Sequence, residues 1–377
     1  MYHVVITGGK FAMKWSFRIG SIFGIPVKVH VTFLLLLVLV YFAGLSIVGT
    51  GGLAGVIFII LVFASVVFHE LSHSLVARYY GINVVDITLL PIGGVARMAS
   101  PAQRPVEEIM IAAAGPLASF FLAFCLWFVA DLLDITVSVS DLSVRSSILA
   151  QLIAVNVVLA LFNLIPAFPM DGGRVLRGIL GLYLSPYTAT RIAVGVGQGF
   201  SIALFFLGLL SMNFFMILIA LFVYLGAESE ERQVGIMMSL GGATARTAMI
   251  TDVDTLRPDQ TIGEAAERFC RGFQGDFPVL EGGRLAGILT REMLTETLHR
   301  QGPSARVSDV MTKDFPTALE DTPLIDVLQK MQDSGNKAIP VMVSGQLRGL
   351  ITLEQIGRYN MLCSGYSCDF LQADQKG

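Results

Sequence analysis

The sequence predicts a polytopic α-helical membrane protein with about six transmembrane helices and a small re-entrant β-hairpin, followed by a cytosolic α/β unit made of two copies of one module. Three observations predict it. Of the 377 residues 54% are hydrophobic and only 15% charged, and a mean hydropathy of +0.69 is too high for an ordinary soluble enzyme. The charge is unevenly divided: residues 31–227 are nearly uncharged, whereas residues 228–377 have the mixed composition of a soluble domain. That second part also repeats itself at an offset of 62 residues. A net charge of −3 and a pI near 6.0 offer no basic surface, which excludes nucleic acid as a partner.

With about twenty apolar residues per span, the spans fall near 31–48, 53–78, 107–130, 147–165, 190–210 and 212–227. Lys10, Lys14, Arg18 and Lys28 precede the first span, and Arg78, Arg97, Arg104, Arg174, Arg177, Arg191 and Arg232 fall on the same side. The opposite side has Arg145, with Asp131, Asp134 and Asp141. The positive-inside rule makes both ends cytoplasmic, and an even number of spans agrees. No small-residue cleavage site precedes the first span, which is expected to remain as an anchor in the cell membrane. Glu107 and Glu108 are expected to solvate the start of the third span or to form its first-turn charge, Asn156 to bond another helix, and His30 to sit at the interface.

Residues 82–97 are β-branched and broken by Pro91-Ile92-Gly93-Gly94, which predicts a hairpin. At membrane depth such backbone is allowed only where protein or a wet cavity covers it. The membrane part is read as 1–232 and a linker as 233–245, with Ser239–Thr244 as its open stretch. Residues 277–294 align without a gap on 339–356, pairing Pro278 with Pro340, Gly287 with Gly349 and Thr290 with Thr352, and Met249 and Met311 obey the same offset. Two modules follow, 246–304 and 305–362, each with a helix-patterned segment before two short strands, and then a tail, 363–377. Cys125, Cys270, Cys363 and Cys368 are too few and too scattered for a disulfide framework and are read as reduced thiols; only Cys363 and Cys368 are close in sequence, with a metal knuckle or a regulatory disulfide as the alternative.

The chemistry starts at His69-Glu70-Leu71-Ser72-His73, inside the second span. Ionisable groups are costly in lipid and therefore point to function. Residues four apart on a helix share a face, so both imidazoles lie together with Glu70 beside them, as in helical zinc-protease motifs. Running inward, the helix reaches His69 about 13 Å before the interface marked by Arg78, Tyr79 and Tyr80, at 1.5 Å per residue. A zinc site needs a third protein ligand and an open position. No histidine follows at the spacing of soluble relatives, and Gly93-Gly94-Val95-Ala96 contains no acid. The best candidate is Asp171, within Asn163-Leu164-Ile165-Pro166-Ala167-Phe168-Pro169-Met170-Asp171-Gly172-Gly173-Arg174, where prolines and glycines break the fourth span and turn a carboxylate back toward the site.

In these residues the chain resembles the site-2 protease family of intramembrane zinc metalloproteases, which combine an HExxH helix with a later NxxPxxPxDG element. Gly115-Pro116 after Ala112-Ala113-Ala114 is similar to the third-span signature of that family, and Gly93-Gly94 to its re-entrant glycine pair. Ser119 departs from the family, which often has asparagine there, and puts one polar helix contact in doubt. The resemblance covers roughly residues 10–230 and implies one Zn2+ held by His69, His73 and Asp171, with Glu70 as general base and no covalent intermediate. It also implies a transmembrane or membrane-associated protein substrate cut near the cytoplasmic leaflet. The edge of the 82–97 hairpin, with Gly93 and Gly94, would receive the unwound segment as an added strand, and Asn163 would hydrogen-bond it. An ordinary hairpin without a substrate role stays open.

Residues 246–361 resemble a tandem CBS-domain pair, which places the chain among the CBS-bearing prokaryotic proteases that release membrane-held regulators. Such pairs commonly bind adenine nucleotides, yet the positions that normally supply the ribose carboxylate are Met293 and Gln355 here. The nucleotide-binding residues are therefore unassigned, and nucleotide sensing stays open beside a dimerisation or substrate-docking platform. Against the protease reading stand a CBS-gated transporter or channel and a non-catalytic adaptor. Transport would favour inverted repeats, and none is found.

Overall fold

The computed structural model of the chain describes residues 15–48, 52–135 and 147–363. Lys10, Lys14, Asp141, Arg145 and Cys368 lie outside those residues. The described chain divides into two units, one up to Val234 and one from Gly235 onward.

The first unit opens with a hairpin of β1 (Ser16–Ile22) and β2 (Ile25–His30), and β2 runs directly into α1 (Val31–Val48), followed by α2 (Gly52–Tyr79). Residues expected as a hairpin pair antiparallel as β3 (Val84–Leu90) and β4 (Gly93–Met98), with Leu90 opposite Gly93. Gly93 has φ +139°, a conformation that an L side chain rarely takes, which suits it to the turn. Next come α3 (Pro105–Leu132), α4 (Ile148–Asn163), α5 (Asp171–Gly181), α6 (Pro186–Leu210) and α7 (Phe214–Leu240). Start signals are local: Pro105 opens α3 behind an Arg104–Glu107 capping box, and the Ser147 and Ser185 hydroxyls accept the amides of Ala150 and Thr188.

Among the described residues, α2, α3 and α6 are long and apolar enough to cross a membrane, while the apolar stretches of α1 and α4 are shorter. Along α3 the small residues Ala112, Gly115, Ser119 and Ala123 are buried, whereas Leu117, Phe121, Phe124 and Phe128 face outward. That is the arrangement of a helix that packs on neighbours through small side chains and meets lipid with large ones. Asn156 of α4 donates to Ser65 Oγ of α2 at 3.0 Å, the interhelical bond expected of it.

The hairpins join into one sheet in the order β1-β2-β3-β4, with β2 parallel to β3 through Val27–Ile87. Asp86 of β3 binds β2, β3 and β4 together. Its fully buried carboxylate accepts Lys28 Nζ from β2 at 2.6 Å and a two-pronged guanidinium from Arg97 of β4, Nε at 2.8 Å. This leaves β4 as a sheet edge.

The second unit contains α8 (Ala245–Ala248), α9 (Ile262–Arg271), β5 (Phe277–Glu281), β6 (Arg284–Leu289), α10 (Arg291–Arg300), α11 (Val307–Val310), β7 (Ala318–Leu319), α12 (Leu324–Ser334), β8 (Ala338–Val343), β9 (Gln346–Thr352) and α13 (Leu353–Cys363). The repeat is visible in the registers: Phe277 faces Leu289 as Ile339 faces Ile351, and each hairpin has an irregularity at the matching place, Val279/Leu280 and Val341/Met342. The modules also exchange segments. Ile250 bonds Leu350 of β9, and Thr312 bonds Ile288 of β6. A Cβ on Gly349 would meet Met249 Sδ at 2.8 Å, and one on Gly287 would meet Met311 Sδ at 2.6 Å, which is why glycine and methionine recur together at both copies.

Two expectations are corrected. The stretch read as an open linker is helical through Leu240, and Leu240 and Ala243 are buried in the second unit's core, because apolar side chains there have module residues to pack against. Cys363 is disulfide-bonded, so it is not a reduced thiol; Cys125 and Cys270 are free. Counting cysteines does not report which thiols come within bonding reach.

Candidate metal centre

The buried residues of α2 include Val66, His69, Glu70, His73, Ser74 and Ala77, so the face that carries the two imidazoles is the face turned inward. Asp171 reaches them because the chain stops being helical after Asn163 and restarts at Asp171, the first residue of α5. The loop between is drawn tight by glycine: a Cβ on Gly172 would strike the Leu164 and Ile165 carbonyl oxygens, and one on Gly173 would lie 2.7 Å from the Ala167 and Phe168 backbone. Sequence reasoning anticipated the break but not the separate helix α5.

Asp171 Oδ2 lies 3.2 Å from Nε2 of both His69 and His73, and these nitrogens are 3.1 Å apart. Among the described residues this is the one group of three or more potential metal ligands, and all three are buried. A tetrahedral zinc set with bonds of about 2.0–2.1 Å puts its donor atoms about 3.3 Å apart, so the donors present fit that ion. Three electron-pair donors turned toward one point in a buried site would otherwise repel, and Asp171 Oδ1 has no hydrogen-bond partner to offset its burial.

The outer nitrogens set the tautomers. His73 Nδ1 is 2.6 Å from the Ile111 carbonyl oxygen, which can only accept, so Nδ1 carries the proton and Nε2 has the free lone pair. His69 Nδ1 meets Ser119 Oγ at 2.9 Å. Ser119 is fully buried and therefore supplies the polar helix contact that its departure from asparagine had put in doubt. Both partners come from α3, which must approach closely. A Cβ on Gly115 would collide with His73 Nε2 and sit 2.6 Å from His69 Nε2, so glycine at this position leaves the room that an ion would take.

Glu70 is 1% exposed, and its Oε1 has no hydrogen-bond partner. Strand β4 passes directly over it, since a Cβ on Gly94 would lie 2.8 Å from Glu70 Cγ. Gly94 thus belongs beside the site, whereas Gly93 serves the turn. Asn163 is buried at the end of α4 and donates Nδ2 to the Leu159 carbonyl at 2.8 Å. His30 ends β2, where its Nδ1 accepts the Thr32 amide at the start of α1. Glu107 and Glu108 both lie in the first turn of α3, one of the two places expected for them, and Glu108 in addition accepts Arg177 Nε of α5 at 2.7 Å, a partner 69 residues away that no local pattern announces.

Residues 57–141 and 135–207 match Peptidase family M50, and residues 245–300 and 307–360 match the CBS domain. The zinc metalloprotease MJ0392 of Methanocaldococcus jannaschii is 38% identical over 92% of this chain and 96% of its own length. A Synechocystis relative is 32% identical over 91% of this chain and 95% of its length. Among solved structures, the site-2 protease from Methanocaldococcus jannaschii is 43% identical, covering 58% of this chain and 96% of that one with a TM-score of 0.44. With a relative of this identity along nearly the whole chain, an HExxH helix and a pair of CBS modules, the protein belongs to peptidase family M50, the site-2 proteases, and is an integral membrane zinc metalloprotease.

Proposed function

We propose that His69, His73 and Asp171 hold the zinc ion and that Glu70 is the general base for hydrolysis of a peptide bond in a transmembrane or membrane-associated protein. The observation that carries this reading is the convergence of Nε2, Nε2 and Oδ2 within 3.2 Å beside a buried carboxylate whose Oε1 has no partner. When bound, zinc supplies a Lewis acid for the scissile carbonyl and lowers the pKa of a water to about 7. Glu70 takes the proton of the attacking water and delivers it to the leaving nitrogen. A substrate helix holds its carbonyls in i to i−4 bonds and is cut only where it unwinds. The free edge of β4, against Glu70 at Gly94, supports docking of that unwound segment as a fifth strand, with Asn163 bonding it from the end of α4.

In this reading α1, α2, α3, α4, α6 and the first part of α7 are the six spans, the β3–β4 hairpin is re-entrant, and the termini and CBS pair are cytoplasmic, so that the released fragment enters the cytosol. The membrane part is then 1–232 and the modules 246–304 and 305–362. Glu70→Gln is expected to keep zinc while lowering cleavage about 10²–10⁴-fold, measured by metal analysis and a substrate-cleavage assay on the same preparation. Unimpaired cleavage would overturn the role of Glu70.

For the CBS pair we infer an adenine-nucleotide site in the cavity of about 570 Å³ that Asp252, Phe273, Asp276, Arg291, Lys337 and Gln355 help to line. Met293 packs into the first module's apolar core, so only the second module offers a polar group at the ribose position, Gln355 beside Thr352. Burial pushes the Asp276 carboxyl up, so acidification neutralises it earlier than an ordinary carboxylate, and anionic ligands are expected to bind more tightly as pH falls through that raised value. Titration of the full chain with ATP and AMP tests this; no saturable signal at either end of the pH range would leave a docking platform instead.

A further inference from the structure

The helix that carries Asp171 is held by a buried set of charges that the reaction does not use. Arg174 and Arg177, one turn apart on α5, both reach Glu230 of α7: Arg174 Nη2 to Oε1 at 3.3 Å and Arg177 Nη1 to Oε2 at 3.4 Å. Arg177 also holds Glu108 of α3, and its guanidinium lies 5.1 Å from the centroid of the buried Phe168 ring. The four charged side chains are between 12% and 20% exposed, and their formal charges cancel.

The same two helices grip α5 and its loop by close packing. On the α3 side, a Cβ on Gly178 would lie 2.6 Å from Ile109 Cγ1. On the α7 side, Val223 packs on Ala167 and Met170, Gly226 leaves room only for Pro169, and Ala227 packs on Phe168. Residues 223, 226, 227 and 230 follow the spacing of a single helix face, so α7 meets residues 167–170, which lead into Asp171, with one side. Apolar packing alone allows a helix to roll. A guanidinium fork has a fixed direction and does not.

We propose that Arg174, Arg177, Glu108 and Glu230 are positioning residues for Asp171, and that Glu230 makes the placement of this ligand depend on the position of α7. The proposal rests on the reading of Asp171 as the third metal ligand. It also gives regulation a physical route, because α7 is the segment through which the chain continues into the CBS modules. A shift or rotation of α7 about its own axis is carried by Glu230 to the arginines of α5 and so to the carboxylate at its first position.

The test uses Co2+ as the metal probe, bound to the full chain in detergent, with the dissociation constant, the d–d absorption spectrum and the unfolding midpoint measured together. Glu230→Gln is expected to weaken Co2+ about ten-fold, the low end for residues that orient metal ligands, and to alter the spectrum. Glu230→Asp keeps the charge and is expected to restore part of both. Glu296→Gln, an exposed change on α10, is expected to alter neither. A folded Glu230→Gln protein with wild-type affinity and spectrum would overturn the proposal. If that variant does not accumulate folded, Arg174→Gln, which leaves the Arg177–Glu230 pair in place, is read for the same two quantities, and wild-type values there would equally overturn it. Asp171→Ala separates the two readings: unchanged Co2+ binding in it removes Asp171 as a ligand, whereas loss in Asp171→Ala with no change in the Glu230 variant removes only the positioning role.

Discussion

In the first unit Asp86, Glu108, Asp171 and Glu230 hold partners far away in sequence, while in the second unit Glu267, Glu296 and Glu354 pair with arginines four residues along their own helices. The first kind is buried or nearly so and joins separate elements; the second is at least 60% exposed on both sides. Water competes for the exposed pairs and salt screens them, so they contribute little. A buried charge whose partner is removed has nothing to replace it. The lesson is that few charges in an apolar segment each carry more structure than many on a wet surface.

That contrast can be broken by one matched pair of variants. Asp86→Asn leaves Lys28 and Arg97 without their shared carboxylate and is expected to cost about 3 kcal/mol, read from denaturant unfolding of the detergent-solubilised chain. Glu296→Gln, on the surface of α10, is expected to change the same measurement by about 0.5 kcal/mol or less. Equal effects would mean that burial does not set the difference. Ser119→Ala sharpens the comparison within the buried class. It removes the oxygen that faces His69 Nδ1 without touching a ligand, and metal affinity is expected to fall about ten-fold. A metal dissociation constant equal to that of the unaltered chain would show that the helix packing alone orients His69.

What could be read in the sequence followed from distance along the chain. His69, Glu70 and His73 are set by one helical turn, and Asp171 is announced by the prolines and glycines around it. The repeat was legible because both copies keep Gly and Met at the same offset. The four-stranded sheet was not: β2 pairs in parallel with β3 across about sixty residues, Val27 to Ile87, and only the alternation Trp15, Phe17, Ile19 before the first span hinted at β1. Helix α5 was hidden because its two opening glycines read as a loop, yet they are what allows the backbone to pack on residues 164–168. The partners of Glu108 and Asp86 were hidden for a simpler reason. A carboxylate in sequence carries no mark of which distant arginine will meet it.

The exchange of segments between the modules has a consequence for synthesis. Ile250 is made near the start of the second unit, but its hydrogen-bonding partner, Leu350, follows one hundred residues later. Likewise β6 waits for Thr312 before its outer edge is closed. On the ribosome, then, the first module cannot finish before the second has begun, and the early bridging residue Ile250 is among the last to be paired. A chain truncated anywhere between them would leave an open edge of the kind that invites aggregation, so the two copies must be inherited, translated and folded as one object.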